Sequence, residues 1–357
     1  MKVKVGKELK DFRTVWMEGK KVRMIDQTKL PHKFEIYDSF SIKQTAEAIK
    51  NMVVRGAPAI GATAAYGIVQ ACLEAPEDKF DPYVKNVANT LRKTRPTAYN
   101  LFWAIDRILK VVSKGKNISE KKKLVLNEAN RIADEDVKTC KKIGEYGNKL
   151  IKNGDRILTH CNAGALATVD YGTALAPIRF AHYEDKRIFV FVDETRPRCQ
   201  GSKLTAWELL QEGIPHAIIA DNAAGYYMQK GEVDLCIVGA DRVTTDGSAA
   251  NKIGTYEKAV LAKENNIPFY VAVPTSTIDF SIKSGKDIPI EERSEEEVTH
   301  ISGFVDGEIK NVRISSEGCK ALNPSFDITS KKLISAFITE KGVLKPKDIK
   351  KLFKKQL

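Results

Sequence analysis

The chain has 357 residues, 43% hydrophobic and 29% charged, the make-up of an ordinary globular protein with length for two domains at about 150 residues each. No apolar run approaches the ~20 residues that span a bilayer, and the opening MKVKVGKELKDFRTV is charged from the start, with no apolar signal core, so a cytoplasmic protein without a membrane partner is expected. The net charge of +12, from 58 basic and 46 acidic residues, raises nucleic acid as a partner. The lysines, however, are spread over predicted helical surfaces and run together only at Lys121–Lys123 and Lys345–Lys355, so a solvated surface is the reading adopted, and an anionic small substrate suits the same sign.

Residues 11–40 read as short strands, with TVWM and VRMI flanking a hairpin-like turn at Glu18-Gly19-Lys20. From about 42 the apolar spacing turns helical, over 42–53, 58–74, 81–93, 99–113 and 119–151, with Pro58, Pro82 and Pro96 at boundaries. After 152, near-continuous apolar runs alternate with helices: RILTH (156–160), RIFVFV (187–192), HAIIA (216–220), VDLCIVG (233–239) and PFYVAV (268–273), separated by helical stretches near 165–176, 202–213, 222–229 and 255–265. Such runs suit strands covered on both faces. The order predicts an α/β protein: an N-terminal domain of short strands and helices, residues 1–130, and a C-terminal Rossmann-like doubly wound parallel sheet, 131–357, divided near or within the long helix.

In open parallel sheets ligands bind beyond the carboxyl ends of the strands, and each predicted strand here is followed by polar residues. Cys161 follows RILTH; read as the start of a helix, its place lowers a thiol pKa and makes it a candidate nucleophile or base, against the alternative of a packed cysteine. Asp241 follows VDLCIVGA, where partial desolvation would raise a carboxyl toward neutrality and suit a general acid; a cap or a partner for Arg242 is the other reading. Arg55-Gly56-Ala57-Pro58 opens a helix, where free amides and a forked Arg donor suit phosphate, although no Walker pattern is present. Gln200-Gly201-Ser202 and Asn251-Lys252 are further polar openings of helices, and Arg95 is a second candidate phosphate clamp. Of the six cysteines none forms a CxxC pair, and the five histidines share no ligand spacing, so no disulfide framework or metal site is expected; His160 reads as a core histidine.

These residues fall in stretches that resemble the methylthioribose-1-phosphate isomerase family of methionine salvage: VVRGAPAIGATAAYG (53–67), TRPTAYNLFWAIDR (94–107), THCNAGALATVDYGTALAPI (159–178), VDETRPRCQGSKLTAWEL (192–209), the long stretch 238–279, IPIEERSEEEV (288–298) and NPSFDIT (323–329). The resemblance implies Cys161 and Asp241 as the catalytic pair, and Arg55, Gly56, Ala57, Arg95, Gln200, Asn251 and Lys252 as substrate-binding residues. It further implies a phosphorylated pentose as substrate, no cofactor and a homodimer. Two departures lie at the rim: Ala165 where glycine or serine is common, and the unusual TTDGSAANK after Arg242-Val243. The superfamily also holds ribose-1,5-bisphosphate isomerases and regulatory subunits of a translation-initiation exchange factor. IPIEERS and the ETRPxxQG loop favour the methylthioribose branch.

Overall fold

The computed structural model describes residues 1–95 and 98–353; Pro96 and the last residues of the basic run Lys345–Lys355 lie outside them. An antiparallel pair, Lys2–Val5 with Glu8–Asp11, precedes a three-stranded antiparallel sheet of Val15–Glu18, Lys21–Ile25 and Ile36–Ser39. The expected hairpin forms, with Gly19 at φ 59 in the turn. The five expected helices follow as Ile42–Lys50, Ala57–Glu74, Phe80–Thr94, Tyr99–Val112 and Ile118–Asn148. Ser41 and Asn117 cap two of them by accepting the amides of Gln44 and Glu120. Ala57–Glu74 is buried on nearly every face, as a helix apolar all round must be. Leu101, Ile105, Val125 and Ile132 from its neighbours share its core. The helix Ile118–Asn148 also reaches a second core under the main sheet through Ile143.

That sheet has seven strands, in the order Gly342–Leu344, Ala336–Thr339, Phe269–Ala272, Leu235–Val238, Arg156–Thr159, Phe189–Asp193 and His216–Ile219. All neighbours are parallel except the edge strand Gly342–Leu344. Counted along the chain the parallel strands lie 3-2-1-4-5-6, a Rossmann-type order. The order reverses between Arg156–Thr159 and Leu235–Val238, and at that switch point a crevice opens beyond the strand ends. The five strands expected from the sequence all form. A sixth, Ala336–Thr339, joins them, with all four of its residues buried.

Two expectations are corrected. The helix expected near 165–176 is a short turn, Ala165–Ala167, and a helix starts only at Leu175. Tyr171 and Gly172 take positive φ of 64° and 84°, and the Glu208 side chain accepts the amides of Ala165 and Leu166, so the chain there serves a tertiary contact instead of a helical ladder. The region after Asp241, expected to carry polar residues into a helix opening at Asn251-Lys252, is an antiparallel pair, Arg242–Thr244 with Ala249–Lys252, extended by Ile278–Asp279 and Phe326–Thr329 into a four-stranded sheet. Asn251 and Lys252 therefore sit on a buried strand ahead of the helix Thr255–Glu264. Among the described residues no helix is long and apolar enough to cross a membrane.

Candidate active site

The two strands flanking the switch point deliver Cys161 and Asp241 to one cavity, which Arg55, Gly56, Ala57, Asn162, Asn251 and Thr277 also line. Cys161 does not open a helix. It takes φ 65, an uncommon conformation for a residue with a side chain, and is clamped on both sides. Its amide donates to Thr195 Oγ1 at 2.8 Å, and its carbonyl accepts from Thr205 Oγ1 at 2.7 Å. The expected lowering of its pKa is corrected with the helix. Burial pushes the thiol up, against an opposing pull from Arg55 and Lys252.

Asp241 precedes a strand, so it caps no helix, and Arg242 turns instead to Asp279 at 3.5 Å. Burial pushes the Asp241 carboxyl above its ordinary range, opposed by Lys252, Arg55 and Arg95 and reinforced by Glu291. Lys252 is itself buried and donates to Ser325 O at 2.7 Å. Burial lowers its pKa, while Cys161 and Asp241 raise it. The thiol, the carboxyl and the ammonium thus form one electrostatic group.

Gly56 stands at φ 92 ahead of the helix Ala57–Glu74, and a Cβ there would lie 2.4 Å from Ala167 Cα. Only glycine lets the first turn, with Pro58 in it, come this close to the neighbouring loop. Arg55 holds Asn162 in a fork, Nη1 to Oδ1 at 2.6 Å and Nη2 to the main-chain O at 2.7 Å. Arg95 has buried Nε and Nη1 atoms with no hydrogen-bond partner; each such group costs roughly 1–3 kcal/mol unless a ligand meets it. Gln200 lines a different, larger cavity of about 430 Å³ with Met52, Arg198 and Lys203, and its Oε1 is likewise buried and unmet. Arg55 borders both cavities. The Cys161 cavity alone measures only about 40 Å³, room for a few waters, so a sugar ester must extend past Arg55 or the walls must part.

Glu297 and Asp327, which help to hold the site, stand out in the sequence only within the longer stretches 288–298 and 323–329. Glu297 accepts from Arg293 Nη2 at 2.6 Å, Arg198 Nη1 at 3.0 Å and Asn323 Nδ2 at 3.1 Å. It thereby ties the segment 288–298 to two other loops, and these cations hold its carboxyl at about 2. Asp327 accepts the amides of Gly254 and Tyr256 at the helix start after Lys252. His160 is the core histidine expected, with Nδ1 on Asp193 Oδ2 at 2.9 Å and Nε2 on Ile253 O at 2.8 Å. With Asp193 and Asp221 it forms a cluster whose donor atoms lie within 4.8 Å of one another. The Lys258 ammonium stands 3.8 Å from Asp193 Oδ2 and donates to Asp221 O at 2.6 Å, supplying the positive charge that a metal would bring.

A profile of the Initiation factor 2 subunit family, IF-2B, matches residues 53–346. A curated methylthioribose-1-phosphate isomerase from Geotalea uraniireducens is 52% identical over 340 residues, 94% of this chain and 96% of the relative. Among solved structures, 5-methylthioribose 1-phosphate isomerase from Pyrococcus horikoshii OT3 superposes with a TM-score of 0.86 at 45% identity, over 97% of this chain and 96% of that one. A protein described as translation initiation factor eIF-2B, subunit delta, from A. fulgidus gives 0.81 at 45% identity, over 95% and 97%. The chain thus belongs to the Initiation factor 2 subunit family and, at about half identity over nearly its whole length, to the family of the methylthioribose-1-phosphate isomerases.

Proposed function

We propose that the protein converts the aldose 5-methylthioribose 1-phosphate to the ketose 5-methylthioribulose 1-phosphate in methionine salvage, with Asp241 as general acid and Cys161 as base or transition-state stabiliser. The observation that carries this reading is the meeting of Cys161 and Asp241 in one cavity at the switch point, beside the Arg55 guanidinium and the amide end of the helix Ala57–Glu74. The C1 phosphate ester blocks simple hemiacetal opening, so the ring oxygen must be protonated first. Burial keeps the Asp241 carboxyl protonated to higher pH than usual, which suits that donor. Breaking the ring C1–O bond leaves positive charge at C1, shared with the phosphate-ester oxygen. Hydrogen then passes from C2 to C1, so that C1 is reduced and C2 oxidised with no outside redox partner, and the C2 hydroxyl proton returns to the Asp241 carboxylate.

In one route the Cys161 thiolate, disfavoured by burial and supported against it by Arg55 and Lys252, takes the C2 proton and returns it to C1. In the other, hydrogen moves as hydride beside the sulfur. Turnover in D₂O separates them: solvent deuterium at C1 marks proton transfer, and its absence marks hydride. Arg55, the Gly56 and Ala57 amides and Arg95 hold the phosphate in this reading, while Gln200, Asn251 and Lys252 contact the sugar. No cofactor takes part in the chemistry, so chelator treatment is expected to leave turnover unchanged. A cytoplasmic homodimer with domains 1–130 and 131–357 completes the proposal.

The deciding experiment supplies methylthioribose 1-phosphate and ribose 1,5-bisphosphate side by side. Preferred turnover of the first supports this reading, and preferred turnover of the second reassigns the substrate. The likeness to the protein described as an eIF-2B subunit favours one other reading, a regulatory subunit, and turnover of neither sugar would establish it.

A further inference from the structure

A carboxylate behind the site decides which way a neighbouring amide points. Glu208 lies on the helix Ala206–Glu212 and is fully buried, as are Arg179, Asn162 and Thr205. Four donors meet its carboxylate. Oε1 accepts from Asn162 Nδ2 at 2.9 Å and Leu166 N at 3.1 Å, and Oε2 accepts from Ala165 N at 2.8 Å and Arg179 Nη2 at 2.7 Å. The fit leaves no slack, because a Cβ on Gly164 would lie 2.3 Å from Oε2.

We propose that Glu208 is a positioning residue for the reaction, fixing the polarity of the Asn162 amide so that its carbonyl end faces Arg55. An Asn side chain can present either end, and its surroundings choose between them. Here the acceptor-only carboxylate captures the Nδ2 end, which also reaches Thr205 Oγ1 at 3.2 Å. Oδ1 is thereby left to accept from Arg55 Nη1 at 2.6 Å, while the adjoining main-chain O takes Nη2 at 2.7 Å. The guanidinium is thus pinned by two bonds to the residue that follows Cys161, and among the described residues its other donors meet no hydrogen-bond partner, which leaves them to an anion. An inverted amide would set N–H against N–H and release one tine of the fork.

The inference rests on the reading of Arg55 as a phosphate anchor, and the test separates the two. The probe is inorganic phosphate, its dissociation constant measured alongside KM and kcat for the phosphorylated sugar and the melting temperature. Glu208→Gln replaces one acceptor by a donor, so both the phosphate dissociation constant and KM should rise about tenfold, with a smaller change in kcat. Adding Asn162→Asp restores the polarity, since the Gln amide can donate to a carboxylate that also accepts Arg55; affinity should return to within about threefold of wild type. A Glu208→Gln protein that binds phosphate as tightly as wild type, with only its melting temperature lowered, would overturn the proposal. Where Glu208→Gln does not fold, Asn162→Asp alone, carboxylate against carboxylate, is compared with the double variant, and equal affinities overturn it. Arg55→Ala serves as the control. If it binds phosphate normally, the anchor reading fails and this inference with it; if it weakens binding and Glu208→Gln does not, only the inference fails.

Discussion

Asp241 faces three cations, Arg55, Arg95 and Lys252, and burial still outweighs them in setting its carboxyl. A donor of that kind works while protonated, so turnover should fall as pH rises through its raised pKa. Asp241→Asn should lower kcat by ~10²–10⁴-fold and abolish that alkaline limb, while the melting temperature stays near wild type. A kcat close to normal would remove Asp241 from the role. Arg95 is the complementary case, a guanidinium with two buried nitrogens that meet no hydrogen-bond partner among the described residues. Arg95→Ala should raise KM for the phosphorylated sugar by about tenfold or more, the worth of a charge-assisted hydrogen bond, with kcat changed less; initial-rate kinetics decide it. Strand-end position marks Cys161 and Asp241 in the sequence because ligands gather where parallel strands end. Nothing comparable marks Thr195 or Thr205, whose hydroxyls hold the Cys161 backbone, since a threonine has the same face value in any loop.

Among the elements, the start of the helix Ala57–Glu74 is the most constrained. Gly56 combines a left-handed φ of 92 with a virtual Cβ only 2.4 Å from Ala167 Cα. Gly56→Ala should therefore destabilise the protein by about 2 kcal/mol or more and raise KM, because relief of the clash moves the amide end away from the cavity. Urea unfolding and kinetics check the two halves; an alanine protein as stable as wild type would contradict the geometry. The parallel strands announce themselves because burial on both faces demands unbroken apolar runs. The run 165–176 misleads because its helix-like composition is overruled by Tyr171, Gly172 and the Glu208 carboxylate.

At the scale of the molecule, the helix Ile118–Asn148 links the helical core to the core under the sheet, and Asp136 sits on it where it meets the loop beside the site. Its Oδ2 accepts from Val169 N at 2.6 Å, and burial pushes its carboxyl from 3.8 to about 7. Because the folded state holds this proton more tightly than the unfolded chain, the associated stability is full below about pH 4 and is lost as pH rises to about 7. The loss is at most about 4 kcal/mol. Asp136→Asn keeps an acceptor for Val169 and removes the titration, so the variant should gain stability over wild type at pH 8 but not at pH 4. Urea midpoints at the two pH values test this, and an equal difference at both would dismiss the titration.

Composition, strand runs and the residues just past them determined the fold class, the parallel order of elements and the common sheet edge of Cys161 and Asp241, because hydrophobic period and turn chemistry are local properties that a sequence states directly. The family resemblance alone joined Arg55 to them. Only the tertiary structure decided that Cys161 sits in a left-handed bend and not at a helix start, that Gln200 faces a second cavity, and that Glu208 stands behind Asn162. Those facts depend on contacts between residues far apart in the chain and on how much water the fold removes from each charge, and burial of that kind is a property of the packed whole.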